Sequence, residues 1–287
     1  MALKDLLVCV DQTEGALFRL RLATNLAARH GSRLTALFAR EWTHAQLDHR
    51  KAAELGLVSS QKMRLLDDGV AASIKVVADR LQATLNQLIS DRGIQATLLN
   101  IDGPAAVAVP QYARYADLCI LGQNEPEGPA SVNYTFSEQL LFVTGRPVLF
   151  VPSERSYQTL GRHIVVAWNS SRPAARSLND AIPMIERADH TTIVMINPSG
   201  FIDSHEGPPG EQLAEHLARH GAAVDSVRIE NVAHGAIADR LQTEAIELGA
   251  DLIVAGAFGH PRLWEKMLGG VTRDLMARMS LPVFMSH

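Results

Sequence analysis

Residues 250–256 read Ala-Asp-Leu-Ile-Val-Ala-Gly, and residues 116–122 read Ala-Asp-Leu-Cys-Ile-Leu-Gly. One short apolar run, entered through Ala-Asp and left through Gly, thus occurs twice in the chain. The likeness continues outward in the same order. Residues 5–12 (Asp-Leu-Leu-Val-Cys-Val-Asp-Gln) and 163–170 (His-Ile-Val-Val-Ala-Trp-Asn-Ser) are apolar runs that end on Asp or Asn. Each copy closes on a proline-led run, Arg-Pro-Val-Leu-Phe-Val at 146–151 and Leu-Pro-Val-Phe-Met-Ser at 281–286. Order and approximate spacing agree, so the chain reads as two copies of one domain, 1–155 and 160–287. The polar stretch 153–162 joins them.

Within each copy, short β-rich runs alternate with helical patterns. Strands are expected near 5–10, 33–39, 94–100, 117–121 and 147–151, and again near 163–168, 191–196, 224–230, 251–255 and 282–285. Residues 70–91 place Val70, Ile74, Val77, Ala78, Leu81, Leu85 and Leu88 at helical spacing, and Gly93 follows as a stop. Further helices are expected near 134–144, 173–187, 211–220, 236–248 and 271–279, with Gly221 and Gly249 as C′ residues. Pro183 should kink or shorten the 173–187 helix. Strand–helix alternation implies an α/β fold: two doubly wound domains, each a five-stranded parallel sheet with helices on both faces. The strands lack polar alternation, as strands buried on both faces do. Ligands of such sheets bind beyond the strand carboxyl ends, where strand order reverses.

Composition sets the bounds. A chain of 287 residues fits two domains of ~150 residues each. Hydrophobic residues at 47% against 20% charged exclude a disordered chain. The net charge of −4 argues against broad nucleic-acid binding. Two cysteines rule out a disulfide scaffold and point to a reduced, cytoplasmic protein. No apolar run approaches the ~20 residues of a membrane span. The opening Met-Ala-Leu-Lys-Asp leads directly into a strand-like run, which speaks against a signal peptide.

Chemistry concentrates after the fourth strand of the second copy. Residues 256–272 carry Gly256, Gly259, Gly269 and Gly270, with Thr272 entering the last helix and Arg262, Lys266 and Arg273 adding positive charge. Glycine lets backbone N–H groups approach an anion, and a helix N-terminus supplies donors. The plainer reading makes these glycines turn and cap residues only.

With these residues the sequence resembles the universal stress protein family, whose nucleotide signature is Gly, two residues, Gly, nine residues, Gly, then Ser or Thr. Gly256, Gly259 and Gly269 match this spacing, and Gly270 replaces the hydroxyl residue. The family's strand-end Asp corresponds to Asn169 here and to Asp11 in the first copy. The resemblance implies an adenine nucleotide alpha hydrolase-like fold and ATP, ADP or AMP bound with Mg²⁺ or Mn²⁺. It would place Ala167 beside the base, Asn169 beside adenine and ribose, and a backbone group near Ile196 on the adenine edge. Ala255 and Gly256 would contact the ribose side, and Gly259, Gly269, Gly270, Val271 and Thr272 would hold the phosphates. It also implies that the edge-like last strands, 147–151 and 282–286, pair within the chain as a pseudo-dimer that can dimerise further. An unidentified protein partner would read the bound state.

The first copy departs from the signature. Gly122 is kept, but Glu125 stands where the second glycine belongs, and Asn133-Tyr134 precede the expected helix. Glu125 and Glu127 would repel phosphate, so this copy reads as degenerate, with Asp11 as a strand-end or helix-cap carboxylate. A longer stretch, 40–69, with Trp42, His44 and His49, is a lid, an interface segment or a helical connection. His216 and His220 lie four apart, near His205, Glu211 and Glu215, but a solvated helix face is the simpler reading than a metal site. His234 reads as a loop residue, Cys9 and Cys119 as small core residues, and Trp168 and Trp264 as packing beside the pocket. No P-loop, nucleophile elbow or Gly-x-Gly-x-x-Gly fingerprint is present, and no residue set activates a water for attack on a γ-phosphate. The leading reading is therefore a stress-response regulatory protein that binds an adenine nucleotide in its second copy. An interaction module without nucleotide stands second, and a slow ATPase third.

Overall fold

A computed structural model of the chain describes residues 2–40, 60–123, 140–153, 157, 159–198, 210–257 and 270–287, with the backbone alone for 40, 60–68 and 70. The first half comprises β1 (Asp5–Val10), α1 (Glu14–His30), β2 (Arg33–Arg40), α2 (Ser60–Ile89), β3 (Ala96–Asp102), α3 (Ala105–Ala113), β4 (Leu118–Gly122) and β5 (Val148–Val151). The second comprises β6 (His163–Ala167), α4 (Arg172–Ile185), β7 (His190–Ile196), α5 (Glu211–Arg219), β8 (Val224–Ile229), α6 (Ile237–Glu247), β9 (Leu252–Gly256), α7 (Gly270–Ala277) and β10 (Val283–Ser286). No helix among the described residues is long and apolar enough to cross a membrane.

All ten strands form one sheet in the order β3-β2-β1-β4-β5-β10-β9-β6-β7-β8. Neighbours run parallel throughout, except β5 and β10, which pair antiparallel. Strand order reverses between β1 and β4 and again between β6 and β9, so each half carries one switch-point crevice. Leu6, Leu7 and Val8 of β1 are all buried. Leu6 and Val8 face α1 and α2, and Leu7 faces α3, which is why the strand shows no polar alternation. In the second half, α4 and α5 cover the α1 side of the sheet, and α6 and α7 cover the other.

The repeated Ala-Asp has a structural cause. Asp117 Oδ2 accepts from the backbone N–H groups of Lys4 (2.7 Å) and Asp5 (3.0 Å). Asp251 Oδ1 accepts from those of Arg162 (2.9 Å) and His163 (3.2 Å). In each half, one carboxylate caps the amino end of the central strand, where its first donors have no strand partner.

Two elements differ from the pattern-based expectation. The helix expected from residue 70 begins at Ser60, so 60–69 is helical connection, while 41–59 with Trp42, His44 and His49 lie outside the described residues. Pro183 sits inside α4, which ends at Ile185 rather than 187. A proline in the last turn withholds only its own N–H, and the ladder resumes when Glu186 N–H donates to Ile182 O at 2.8 Å. Gly93, Gly221 and Gly249 take positive φ (63°, 80° and 71°), as helix-stopping glycines do.

The halves also meet at the amino ends of the strands. Arg29 donates through Nη2 to Arg187 O, and Arg187 through Nη1 to Arg29 O, so each guanidinium caps the C-terminal end of the other half's helix. Arg29 Nη1 also donates to Leu160 O (2.8 Å) and Gly161 O (3.1 Å). Buried His30 lies beside this pair. Burial first, then the charges of Arg187 and Arg29, push its pKa down to about 4. A histidine held neutral in the fold takes up a proton on unfolding. Its contribution is therefore intact above the unfolded value near 6.5 and is lost as pH falls toward 4, about 3 kcal/mol in all. Urea unfolding at pH 7.5 and pH 5 is expected to show about 2 kcal/mol less stability at the lower pH. His30→Gln should remove most of that difference, and a variant with the parent's full acid sensitivity would contradict this assignment.

Candidate functional site

The second crevice opens where β6, β7 and β9 end. Three non-glycine residues take left-handed backbone, Ser170 (φ 55°), Asn197 (φ 52°) and Asn231 (φ 61°), and they follow β6, β7 and β8 in turn. Among the described residues these are the only such positions, and all lie on this one edge of this one half. Such conformations persist where surrounding contacts hold them, and they gather at functional edges. Asn197 shows how: its Nδ2 donates to Val232 O (2.8 Å), and its Oδ1 accepts from Val232 N (3.0 Å). The turns after β7 and β8 are thereby tied together. None of the three residues was singled out from sequence. The tolerance of Asn for this backbone is the signal that would have flagged two of them.

Next to this edge stands Ile196. Val194 O accepts from Trp168 N at 3.0 Å, and Asn197 N donates to Ile229 O at 2.7 Å. Backbone groups alternate sides along a strand, so the N–H and C=O of Ile196 face the β6 side, beyond Ala167 where that strand ends. Asn169 lies exposed in the turn that follows. Its Oδ1 accepts from Ser171 N (3.2 Å), and Ser171 Oγ accepts from Ala174 N (3.3 Å) as the N-cap of α4. Asp11 does the same work in the first half, accepting from Thr13 N at 2.8 Å and from the Thr13 hydroxyl. One side-chain oxygen serves this turn, which explains how Asn can stand where Asp stands in the other half. The Asn169 amide NH₂ remains directed elsewhere, as a donor.

Ala167, Asn169, Ile196, Ala255 and Gly256 are thus gathered at adjacent strand ends, Ala167 pairing in register with Ala255. Gly270 and Val271 open α7, and Thr272 is buried, with 6% exposed. Gly259 and Gly269 lie outside the described residues, as do Arg262, Lys266 and Trp264. Gly256 proves to have a packing cause that spacing does not show. A Cβ there would overlap the backbone of Pro173 and Ala174 at the start of α4. Among the described residues nothing lies within 4 Å of a Cβ built on Gly270, so none of them opposes the family's hydroxyl residue there.

The first crevice is filled from within. Arg19, 4% exposed, pairs with Asp11 at 2.5 Å, and its Nε donates to Cys9 O at 3.0 Å. The guanidinium lies directly over Gly122, so any side chain there would collide with it. Partial burial raises the Asp11 pKa, but the Arg19 charge and the Thr13 hydrogen bonds outweigh it and hold the carboxyl below its ordinary value. Eight residues after Asn169, where Arg19 follows Asp11, the second half has Ser177. Among the described residues its buried hydroxyl has no partner, nor has that of Ser286, which pairs in register with Gly256. The helix α4 therefore brings no guanidinium to this place. Sequence reasoning located the first half's departures at Glu125, Glu127, Asn133 and Tyr134, which lie outside the described residues. It passed over Arg19, whose signal was a lone arginine among Ala16, Leu20 and Ala23 on the buried stripe of α1.

The remaining candidates separate from this site. The rings of His216 and His220 meet edge-on at 4.9 Å, and His220 faces Glu186 at 3.6 Å. His205 lies outside the described residues, and no group of three metal-binding side chains occurs among those described. Trp168 packs against the core cluster under α4. Cys119 is buried and Cys9 half-buried on the other face of the sheet, where a Cys9 hydrogen bond and burial push the Cys119 thiol upward.

These features define a class first: a doubly wound α/β protein with two switch-point crevices, one filled by its own arginine. The Universal stress protein family model matches residues 161–287. The second half thus carries a domain that matches this family model, and the first half repeats its fold. A universal stress protein from Archaeoglobus fulgidus is similar over 98% of this chain and 95% of its own, at 17% identity and a TM-score of 0.69. A functionally unknown protein from Pseudomonas aeruginosa is similar over 99% and 92%, at 16% identity and a TM-score of 0.57. A universal stress protein solved in complex with cAMP matches 54% of this chain and 100% of its own, at 14% identity and a TM-score of 0.38. No curated protein matches the sequence.

The packing at Gly256 is directly testable. Gly256→Ala is expected to cost about 2–3 kcal/mol in urea unfolding, because backbone cannot yield as a side chain does. Gly270→Ala should change stability by no more than about 0.5 kcal/mol. Equal effects at the two positions would refute the packing account.

Proposed function

We propose that the second half binds an adenine nucleotide, ATP or its relatives ADP and AMP, in the crevice formed by β6, β7 and β9. The protein would then be a cytoplasmic stress-response regulator whose occupancy a partner protein reads. The observation that carries this is the Ile196 backbone, which offers a donor and an acceptor to the crevice next to the exposed Asn169 amide. A planar base with an amidine edge matches such a pair. The family resemblance supplies the rest: Gly256, Gly259, Gly269, Gly270, Val271 and Thr272 on the ribose and phosphate side, with Mg²⁺ or Mn²⁺ on the phosphates. Arg19 supports the view that the first half takes no nucleotide, since its guanidinium lies where a ligand would enter. We read the halves as domains 1–155 and 160–287, arranged as a pseudo-dimer across β5 and β10.

One observation favours a second reading, an interaction module without nucleotide. Gly256 is accounted for by α4 alone, so one glycine of the signature needs no ligand to explain it. Calorimetry distinguishes the two. Bound nucleotide is first extracted and identified, and ATP with Mg²⁺, ADP, AMP and cAMP are then titrated, with phosphate release measured in parallel. One site per chain is expected. Gly259→Glu, which copies the first half's Glu125, should abolish it. Gly270→Ser should tighten it by about three- to tenfold through one added hydrogen bond. No heat and no co-purified nucleotide would leave the interaction module.

A further inference from the structure

Both flanks of the proposed phosphate-binding elements reach the first half, one directly through Gln123 and the other through His287. Gln123, the residue after β4, donates its Nε2 to Ala277 O, the last residue of α7, at 2.8 Å. Gln123 is itself fixed in place. Its N–H donates to Val151 O at 2.8 Å, and its O accepts from Ser153 Oγ at 3.5 Å. The segment after α7 is tied in the same way. Tyr157 donates its hydroxyl to Ser280 O at 3.1 Å, and Ser280 N donates to Gln242 Oε1 at 2.7 Å. On the other flank, Ala257 follows Gly256 as Gln123 follows Gly122. Ala257 O accepts from His287 Nδ1 at 3.0 Å, and the His287 ring stands edge-on to Phe142 of the first half, centroids 4.5 Å apart.

Helix α7 has eight residues, a rod of about 12 Å. Its last carbonyls have no partner within the helix, so a donor from outside determines where that end rests. Because the rod is short and stiff, a restraint at Ala277 is also a restraint on Gly270, at the end where phosphates would lie. The base-side groups, Ile196 and Asn169, belong to β7 and the turn after β6 and owe nothing to α7.

We propose that the first half, whose own crevice is filled by Arg19, acts as a positioning scaffold for the phosphate end of the second half's site, with Gln123 as the positioning residue. The inference rests on the adenine nucleotide reading. Loss of Gln123 leaves Ala277 O to water and loosens the end of α7, which then rests on its core packing and the Ser280 ties alone, so binding of the polyphosphate weakens while binding of the nucleoside does not.

The test uses the full chain with Gln123→Ala and with Gln123→Glu, which keeps the shape but removes the donor. ATP with Mg²⁺ and adenosine are titrated into the parent and both variants, and amide hydrogen exchange across 273–280 is followed without ligand. The expected result is about a three- to tenfold loss of ATP affinity in both variants. Adenosine affinity should stay within about twofold, and exchange near the end of α7 should quicken. An unchanged ratio of ATP to adenosine affinity, or an equal loss of both, overturns the proposal. If the parent binds neither compound, the nucleotide reading fails by itself. Exchange then decides separately: faster exchange in both variants upholds Gln123 as the residue that positions α7, and unchanged exchange removes that role too.

Discussion

The antiparallel pairing of β5 with β10 is the constraint on which the remaining architecture depends. Each strand has four residues, and Val148, Leu149, Phe150, Val283, Phe284 and Met285 are at most 1% exposed. In a separate half, either strand would be an apolar edge with unpaired backbone groups on one side. Joined, they turn two five-stranded sheets into one of ten strands and bury both edges together. The pairing also brings Gln123 and Ala257, the residues that follow β4 and β9, close to the seam. Gln123 can meet α7, and Phe142 can meet His287, only because this seam sets the halves side by side.

Within this frame, the halves have solved the same steric problem differently. Both keep a glycine at the end of their fourth strand, where a helix comes close. At Gly256 the intruding group is the α4 backbone, and at Gly122 it is the Arg19 guanidinium. A small residue, Ser177, lets α4 settle against β9, whereas a buried arginine needs a carboxylate and a carbonyl around it, which Asp11 and Cys9 supply. Loss of Asp11 would leave the buried Arg19 charge with the Cys9 carbonyl alone, whereas the Asp11 carboxylate is itself half exposed to water. The glycine alone therefore does not mark a ligand site. What differs between the halves is the material that fills the space beside it.

Much of the fold was legible because it rests on local rules. Paired runs such as 116–122 and 250–256 announced the duplication, and unbroken apolar strands announced burial on both faces. Boundaries slipped where tertiary packing outweighs a local signal. Pro183 is tolerated in the last turn of α4 because the helix is held against the sheet by Leu178, Ala181 and Ile185. The start of α2 at Ser60 precedes the first clear apolar period at Val70. Positions 167, 169, 196, 255 and 256 were named from the family resemblance, and they stand together at adjacent strand ends because the alternation of elements puts them there. The left-handed residues Ser170, Asn197 and Asn231 were not, because backbone conformation there is imposed by neighbouring loops.

From sequence alone came the duplicated α/β fold, the family resemblance and the asymmetry between the two glycine loops. These depend on residue types at fixed separations along one chain, and such separations are fully written in the order of residues. Tertiary structure alone decided that Arg19 lies over Gly122, that α4 crowds Gly256, and that Gln123 reaches across the seam to Ala277. Each of these joins groups far apart in the chain or on different elements. Their meeting depends on how closely helices pack on the sheet and how the two halves are registered, and no local pattern encodes either quantity.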